Sequence, residues 1–405
     1  MERSTVIVNG VTTLISVSNN NTFNDTRFEC SVNVPFKQDS KNAELILDES
    51  NGGSVSLKGY SITFDDCTFA VSVFMSSDNN KDCVITFSNC IFENDVLAED
   101  AVFYGKVRFR NCHFKGNVNF RNTTFNNLVD FWSSTFYKPT TFYKTDFKDI
   151  IVFSAVNFKE NVLFTYSLIE KLMILRGTYP EKGFDISLAI ISGELSIFDF
   201  KFDDYSSYGE IYKDLGKEID DKISYQRAYE VVYEKSVSRE HKIPIENKRE
   251  TYRILKNQLE SHKNYIDSIP FRVMENKTLL KESWKKLWNG VNITRSFSNI
   301  IVLSLNAISN WFGSSYIIGL LFTVSIAGLF FSLSLNHIGN YEFTSTVSDW
   351  EWRYFVQFLN PTHRFDYMKL VDVNPRQWFF IWDFIGRIFV GYGIYQTITA
   401  FRKYK

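Results

Sequence analysis

Phe109-Arg-Asn-Cys-His-Phe114-Lys-Gly-Asn-Val-Asn-Phe120-Arg-Asn-Thr-Thr-Phe125 contains two interleaved phenylalanine series. One runs Phe109, Phe120, Phe131, Phe142, Phe153, Phe164; the other runs Phe114, Phe125, Phe136, Phe147, Phe158. Each series has a period of eleven, and the two are offset by five. Two residues before each Phe of the second series stand Cys112, Thr123, Ser134, Thr145 and Val156, with Cys67 and Cys90 in the same place before Phe69 and Phe92. Two before the first series stand Val107, Val118, Val129, Thr140, Ile151 and Val162. Residues two apart lie about 200° apart on a helical wheel, so a large and a smaller side chain cannot both point inward from a helix. They can from a very short strand that ends in a corner. Two elevens make a coil of twenty-two residues, and four short strands close it. Stacked coils then bring Cys67, Cys90 and Cys112 nearly above one another and pile the rings into an axial ladder.

The blocks Phe64-Asp-Asp-Cys-Thr-Phe69, Phe87-Ser-Asn-Cys-Ile-Phe92, Phe109-Arg-Asn-Cys-His-Phe114 and Phe120-Arg-Asn-Thr-Thr-Phe125 resemble the pentapeptide-repeat family. That resemblance implies a right-handed quadrilateral β-helix. It is specific between about residues 60 and 170. Looser pairs such as Phe23/Phe28, Val34/Phe36, Leu45/Leu47, Ile186/Leu188 and Phe200/Phe202 extend the rhythm over residues 1–204, with an irregular first coil.

The chain has 405 residues and a formal net charge of −1, enough length for more than one domain. The charge is uneven: −7 over residues 1–204, +4 over 205–312 and +2 over 313–405. An acidic repeat half followed by a basic stretch that leads into apolar sequence points to a membrane surface and away from nucleic acid. A band of excess basic residues over 106–148 also breaks any DNA-like charge pattern. All five cysteines lie in the repeat half without metal-ligand spacing, which reads as buried packing thiols. The first residues carry no apolar run long enough for a signal peptide, which keeps the repeat half on the cytoplasmic side.

From residue 205 the pattern turns helical. Tyr225, Ala228, Tyr229, Val232 and Tyr233 form one stripe, Tyr252, Leu255 and Leu259 another, with Pro244 between them. A further helix is expected from near Asp267 to Trp288, with Pro270 in its first turn. Residues 205–290 are thus a helical linker or hairpin. Trp284, Lys285, Lys286 and Trp288, with Arg402 and Lys403 at the other end, are expected membrane-interface anchors, and 291–313 an interfacial amphipathic segment.

Residues 314–336 contain no charge and suffice for a first transmembrane helix. Residues 377–401 hold one acid and one base, Asp383 and Arg387, four apart and able to pair on one helix face; they are expected as the second. Gly386, Gly391 and Gly393 read as helix-packing glycines. Val390-Gly-Tyr-Gly393 has the letters of a carbonyl ion filter without the pore helix and following span such a filter needs. The basic approach and the 402–405 tail place both termini in the cytoplasm, with an aromatic loop over 337–376 outside.

Leu303-Ser-Leu-Asn306, Asn310-Trp-Phe-Gly313, Phe358-Leu-Asn-Pro-Thr-His363, Trp382-Asp383 with Arg387, and Gly391-Tyr-Gly-Ile-Tyr-Gln396 resemble the membrane module attached to many bacterial pentapeptide-repeat proteins, often regarded as channel-like. The resemblance implies a bacterial inner-membrane location and gives architecture more firmly than activity. No phosphate loop, nucleophile elbow or metal cluster is present in the sequence, and His113, His241, His262, His337 and His363 are isolated, so no catalytic, cofactor or metal residue is assigned. The expected function is a cytoplasmic β-helix that binds a protein partner or senses a signal while tethered to the bilayer. The alternative is an oligomeric, channel-like effector of defence or stress, for which two helices per chain require a homo-oligomer.

Overall fold

A computed structural model describes residues 4–8, 11–18, 22–25, 27–28, 32–34, 44–48, 54–58, 61–77, 81–200, 203–218, 225–238, 241–337, 352–364 and 377–402. The chain divides into two compact units, 1–262 and 263–405.

The first unit is a β-solenoid of about six turns. Its strands are two to five residues long in the regular part and form four sheets, within which successive coils pair in parallel. The twenty-two-residue coil is visible in the register, as in Phe114 opposite Phe136 and Val118 opposite Thr140. Consecutive phenylalanines of one series therefore belong to different faces, and same-face rings are two periods apart. Phe64, Phe87, Phe109, Phe131 and Phe153 stack in one column with centroids 4.8–5.3 Å apart. Phe69, Phe92, Phe114, Phe136 and Phe158 form a second at 4.5–4.9 Å. Phe103, Phe125 and Phe147 form a third, and Phe120, Phe142 and Phe164 a fourth. Rings of neighbouring columns meet edge to face, the other arrangement that the aromatic quadrupole favours.

The smaller inward residues must be small because the rings fill the coil, and those carrying a hydroxyl need a partner. The geometry supplies one: Ser134 Oγ donates to the Phe109 carbonyl at 2.9 Å and Thr145 Oγ1 to that of Phe120 at 2.7 Å. Cys67, Cys90 and Cys112 are buried thiols, as the column requires. The Cys90 thiol is pushed well up, first by the Cys112 side chain and then by burial, which keeps it an unreactive thiol.

Corners recur every eleven residues in the left-handed backbone region: Asn89, Asp100, Asn111, Asn122, Ser133, Lys144, Ala155, Tyr166 and Gly177 all have positive φ. Asn and Asp tolerate this conformation best among residues with a side chain. They also bond from coil to coil, Asn111 Nδ2 to Asn89 Oδ1 at 2.8 Å and Asn122 Nδ2 to Asp100 Oδ1 at 3.0 Å.

At the start of the chain the parallel rule gives way to antiparallel pairs, Ser4–Val8 with Val11–Ser18 and Glu44–Asp48 with Ser54–Lys58. Of the looser inward pairs expected there, Phe36 lies outside the described residues. The other end is closed by three helices of the same unit, α1 (Ile211–Glu218), α2 (Tyr225–Ser238) and α3 (Ile245–Ser261). The Ile186 N–H donates to Thr251 Oγ1 at 3.2 Å, so a helix side chain meets a backbone group that would otherwise face a further coil. Tyr233 Oη and Thr251 Oγ1 donate to the buried Asp185 carboxylate, at 3.0 and 3.3 Å. Burial raises the Asp185 pKa, and these hydrogen bonds oppose the shift. Pro244 precedes α3 as its N-cap residue.

The second unit contains α4 (Tyr265–Trp288), α5 (Ile293–Asn310), α6 (Tyr316–Leu335), α7 (Trp352–Phe358) and α8 (Gln377–Phe401). The division between units falls inside the 205–290 stretch, between α3 and α4. Pro270 sits in the second turn of α4, and Asn264 caps that helix by accepting from the Asp267 N–H. Part of the expected aromatic loop is α7, whose Phe355 and Phe358 are buried in a core with Phe331, Phe379 and Val390. Residues 359–364 continue from α7 as a described turn, while 338–351, including Trp350, and 365–376 lie outside the described residues, as do Lys403 and Lys405.

Among the described residues one helix, α6, is long and apolar enough to cross a membrane. The expectation of two such helices is corrected here. Besides Asp383 and Arg387, α8 carries Gln377, Gln396, two threonines, two tyrosines and three glycines, which dilute its apolar character below that of a span.

Replacing Phe131, fully buried between Phe109 and Phe153, with Ala is expected to lower the stability of the solenoid by about 3–5 kcal/mol. Ala155→Gly, at a corner where φ is 56°, is expected to raise it by about 1 kcal/mol. Denaturant unfolding of the two variants, followed by circular dichroism, checks both signs.

Candidate functional site

In the second unit, α6 and α8 run antiparallel, and small residues allow the contact. A Cβ on Gly319 would sit 3.1 Å from the Thr397 Cα, one on Gly393 3.2 Å from the Thr323 Cα, and one on Gly386 2.8 Å from the Phe330 Cβ. Gly386 and Gly393 are thus close-approach positions. Gly391 is not, since a Cβ there would meet only Pro361 at 3.8 Å. Thr323 and Thr397 return their hydroxyls to the carbonyls of Gly319 and Gly393, so neither helix leaves a hydroxyl unsatisfied at this seam.

Asp383 lies on this inner side and is completely buried. Its Oδ2 accepts from Arg387 Nε at 2.8 Å, the expected pair four residues apart. Its Oδ1 faces His363 Nε2 at 2.9 Å. The other ring nitrogen of His363 donates to the Asn360 carbonyl at 2.7 Å, so both ring nitrogens face acceptors. Asn360 Oδ1 in turn accepts from the N–H and hydroxyl of Thr362, an Asx-type turn around Pro361 that aims the histidine. In the sequence His363 stands isolated because twenty residues separate it from Asp383. The usable signal was Asn360-Pro-Thr-His363, a turn sequence ending in a titratable side chain.

A second, uncharged network joins α5 to α8. Tyr392 Oη donates to Asn306 Oδ1 at 3.0 Å, Gln396 Nε2 to the same oxygen at 3.2 Å, and Asn310 Nδ2 to Gln396 Oε1 at 2.5 Å. Asn310 Oδ1 accepts from the Gly313 N–H at 2.6 Å, which ties the network to the left-handed turn at Trp311 and Phe312. In the sequence these residues stand in separate motifs with nothing to show a contact between them. Their spacing, Asn306/Asn310 on one helix and Tyr392/Gln396 on another, is the four-residue interval of a single helix face.

Of the expected interface anchors, Trp288 is 83% exposed and Trp284 45%. Lys286 pairs with the buried Glu282 at 2.6 Å, Lys285 is half-buried and Arg402 is exposed. Lys277 lies over the Trp311 ring at 4.9 Å, holding the end of α5 against α4. Among the described residues no group of three His, Cys, Asp or Glu side chains could hold a metal ion.

The Asp383 cluster is a buried ionic network, in which loss of one partner leaves the others desolvated. Asp383→Asn is expected to destabilise the second unit by about 3–5 kcal/mol. Asp383→Leu combined with Arg387→Leu is expected to recover most of that loss. Thermal melting of the full chain in nanodiscs separates the two results.

Residues 87–135 match the profile described as pentapeptide repeats (9 copies). No curated protein and no solved structure gives a significant match. Repeat sequence and coil geometry thus agree over this stretch: residues 87–135 carry pentapeptide repeats and lie within the β-solenoid of the first unit.

Proposed function

We propose that the protein is an integral membrane protein of the bacterial inner membrane, in which the β-solenoid is a protein-interaction scaffold or sensor and the second unit is the tether. One observation carries the membrane part: α5, α6 and α8 turn large apolar side chains outward, while their inner sides mix an apolar core with small and polar residues. Their inner sides hold Asn306, Asn310, Thr323, Asp383, Gly386, Gly393 and Gln396. Large apolar side chains face outward, among them Phe297, Val302 and Ile308 on α5, Ile317, Leu320, Leu321 and Leu329 on α6, and Phe384, Ile388 and Ile398 on α8. In water such an outer surface would be expelled into contact with something apolar, whereas hydrocarbon accepts it and makes inward polar groups the favourable arrangement. α6 is the span. α8 enters with it as a hairpin partner because its charges are neutralised within the unit, and both termini then face the cytoplasm.

The scaffold part rests on the solenoid, whose stacked coils offer an extended, rigid face of the kind that repeat proteins use for partners. β-solenoids of this repeat type are typically non-catalytic. The alternative, an oligomeric channel-like effector, would use Asp383 and Arg387 as pore-lining charges. The full burial of Asp383 and the engagement of both its oxygens weigh against that role and favour a structural one.

Full-length protein expressed in bacteria is expected to stay in the membrane pellet through alkaline carbonate extraction. Leu321→Arg with Val324→Arg on the outer side of α6 is expected to release it. Tags at the two ends report the number of crossings: protease removal of both from the cytoplasmic side supports the hairpin, and removal of one alone overturns it in favour of α6 crossing by itself.

A further inference from the structure

One side of the solenoid, carried in two consecutive coils by the strands His113–Phe114 and Thr135–Phe136, is bounded by two corners. Because a coil has twenty-two residues, Arg110 and Trp132 occupy the same place at one corner, and Lys115 and Tyr137 the same place at the other. Each corner thus sets a cation beside an aromatic ring. Lys138 follows Tyr137, and His113 and Thr135 turn outward between the corners.

Both rings stand in the open. Trp132 is 51% exposed and Tyr137 41%, and Trp132 is the only tryptophan in residues 1–262. They are also held. Asp130 Oδ1 accepts from the Trp132 N–H at 3.0 Å while its Oδ2 accepts from Arg110 Nε at 2.7 Å, and Tyr137 Oη lies 3.5 Å from His113 Nδ1. Arg110, Lys115 and Lys138 are exposed, and no acid among the described residues forms an ion pair with Lys115 or Lys138. The acids at the border are engaged elsewhere: Glu93, which also feels the charge of Lys115, bonds Arg27 at 3.0 Å, and Glu160 bonds Lys182 at 2.6 Å. Four sheets follow one another around each coil, so the opposite side is the one that carries Asp146–Phe147. It too has cations at its corners, Lys144 and Lys148, but Asp146 stands between them and neither corner has a tryptophan.

Tryptophan and tyrosine beside lysine and arginine is the composition of a bilayer interface, where the ring bodies enter the headgroup region, the indole N–H and phenol stay wet, and the cations meet lipid phosphates. A free phosphate would use the cations and leave both rings in water. An acidic peptide would do the same. A bilayer surface engages both corners together and covers both rings. We propose that this side of the solenoid rests on anionic lipid headgroups, with Trp132 and Tyr137 entering the interface and Arg110, Lys115 and Lys138 neutralised by lipid phosphates. The proposal draws on the membrane reading of the second unit, since a tether in an anionic leaflet keeps the solenoid within reach of its headgroups.

The test reads the solenoid in trans. Full chain in nanodiscs of zwitterionic lipid, which occupy the second unit, is mixed with vesicles and floated on a density gradient. It is expected to float with phosphatidylcholine vesicles that contain phosphatidylglycerol and to stay behind with phosphatidylcholine alone. Lys115→Gln with Lys138→Gln, and separately Trp132→Ser with Tyr137→Ser, are each expected to weaken vesicle binding at least tenfold, a loss of about 1.4 kcal/mol. Lys144→Gln with Lys148→Gln removes the same charge from the opposite side and is expected to leave binding unchanged. Glycerol phosphate at matched ionic strength is expected not to compete. Melting curves of the variants confirm that each stays folded. The proposal is overturned if the parent does not float, if either double variant of this side floats as the parent does, or if the Lys144/Lys148 variant is weakened equally. Competition by glycerol phosphate overturns it in favour of a soluble phosphate ligand, and binding of a polyglutamate peptide with the same dependence on all four residues in favour of an acidic protein. A parent that resists carbonate extraction yet ignores the anionic vesicles would sink the lipid-facing side and leave the membrane assignment standing.

Discussion

The twenty-two-residue register is the constraint on which the first unit depends. Parallel, in-register pairing puts Phe87 against Phe109 and His113 against Thr135, so a choice at one coil immediately limits the coils above and below. A phenylalanine column can stack only if no coil gains or loses a residue in that face. The hydroxyls and thiols of the small inward positions reach back to carbonyls of the preceding coil, and the corner amides bond upward or downward to their equivalents. Ring stacking, hydroxyl satisfaction and corner geometry thus reinforce one register. A one-residue slip would forfeit all three, because the side-chain period of a strand is two.

A stack that repeats this regularly has no internal reason to stop, and its ends require different residues. At one end the chain changes to antiparallel pairs. At the other, Asp185, Thr251 and Tyr233 build a buried polar junction where Phe and Val would have continued the columns. α2 serves as cap and as the wall of a cleft together: the same tyrosine that bonds Asp185 fixes the helix that carries Glu230 and Glu234. Capping therefore generates a place where a helix edge and the solenoid corner face each other across a cavity.

Legibility followed periodicity. Phe109 to Phe164 announced the coils because every repeat restates the same physical requirement, and the αL corners at Asn111 and Asn122 were implicit in the same blocks. The stripe Tyr225 to Tyr233 announced a helix but not its target, since amphipathicity says which side is buried and not against what. The Asp383/Arg387 pair was legible because both residues share one helix. His363 was not, because its approach depends on a turn and on α7 packing beneath it, relations with no fixed spacing. The expectation that α8 is apolar enough to count as a span by itself failed for a related reason: one acid and one base over twenty-five residues suggested apolarity, while its glycines, threonines and tyrosines were spent on packing against α6 and α5.

That distribution explains how a helix with an acid and a base can accompany α6. An unpaired charge in hydrocarbon is among the most unfavourable placements a side chain can have, and its penalty falls when the charge turns inward and finds partners. Asp383 turns fully inward and meets two cation-forming side chains, one from its own helix and one from the turn after α7. Tyr392 and Gln396 do the equivalent for uncharged groups through Asn306 and Asn310. Arg387 serves Asp383 from the same helix, while His363, Tyr392, Gln396, Asn306 and Asn310 bond between α8 and another helix or turn, so residues that lower the apolar character of α8 also fasten it to α5 and the α7 turn. In the membrane arrangement proposed above, the polarity that disqualifies α8 as a lone span is what makes it a partner for α6.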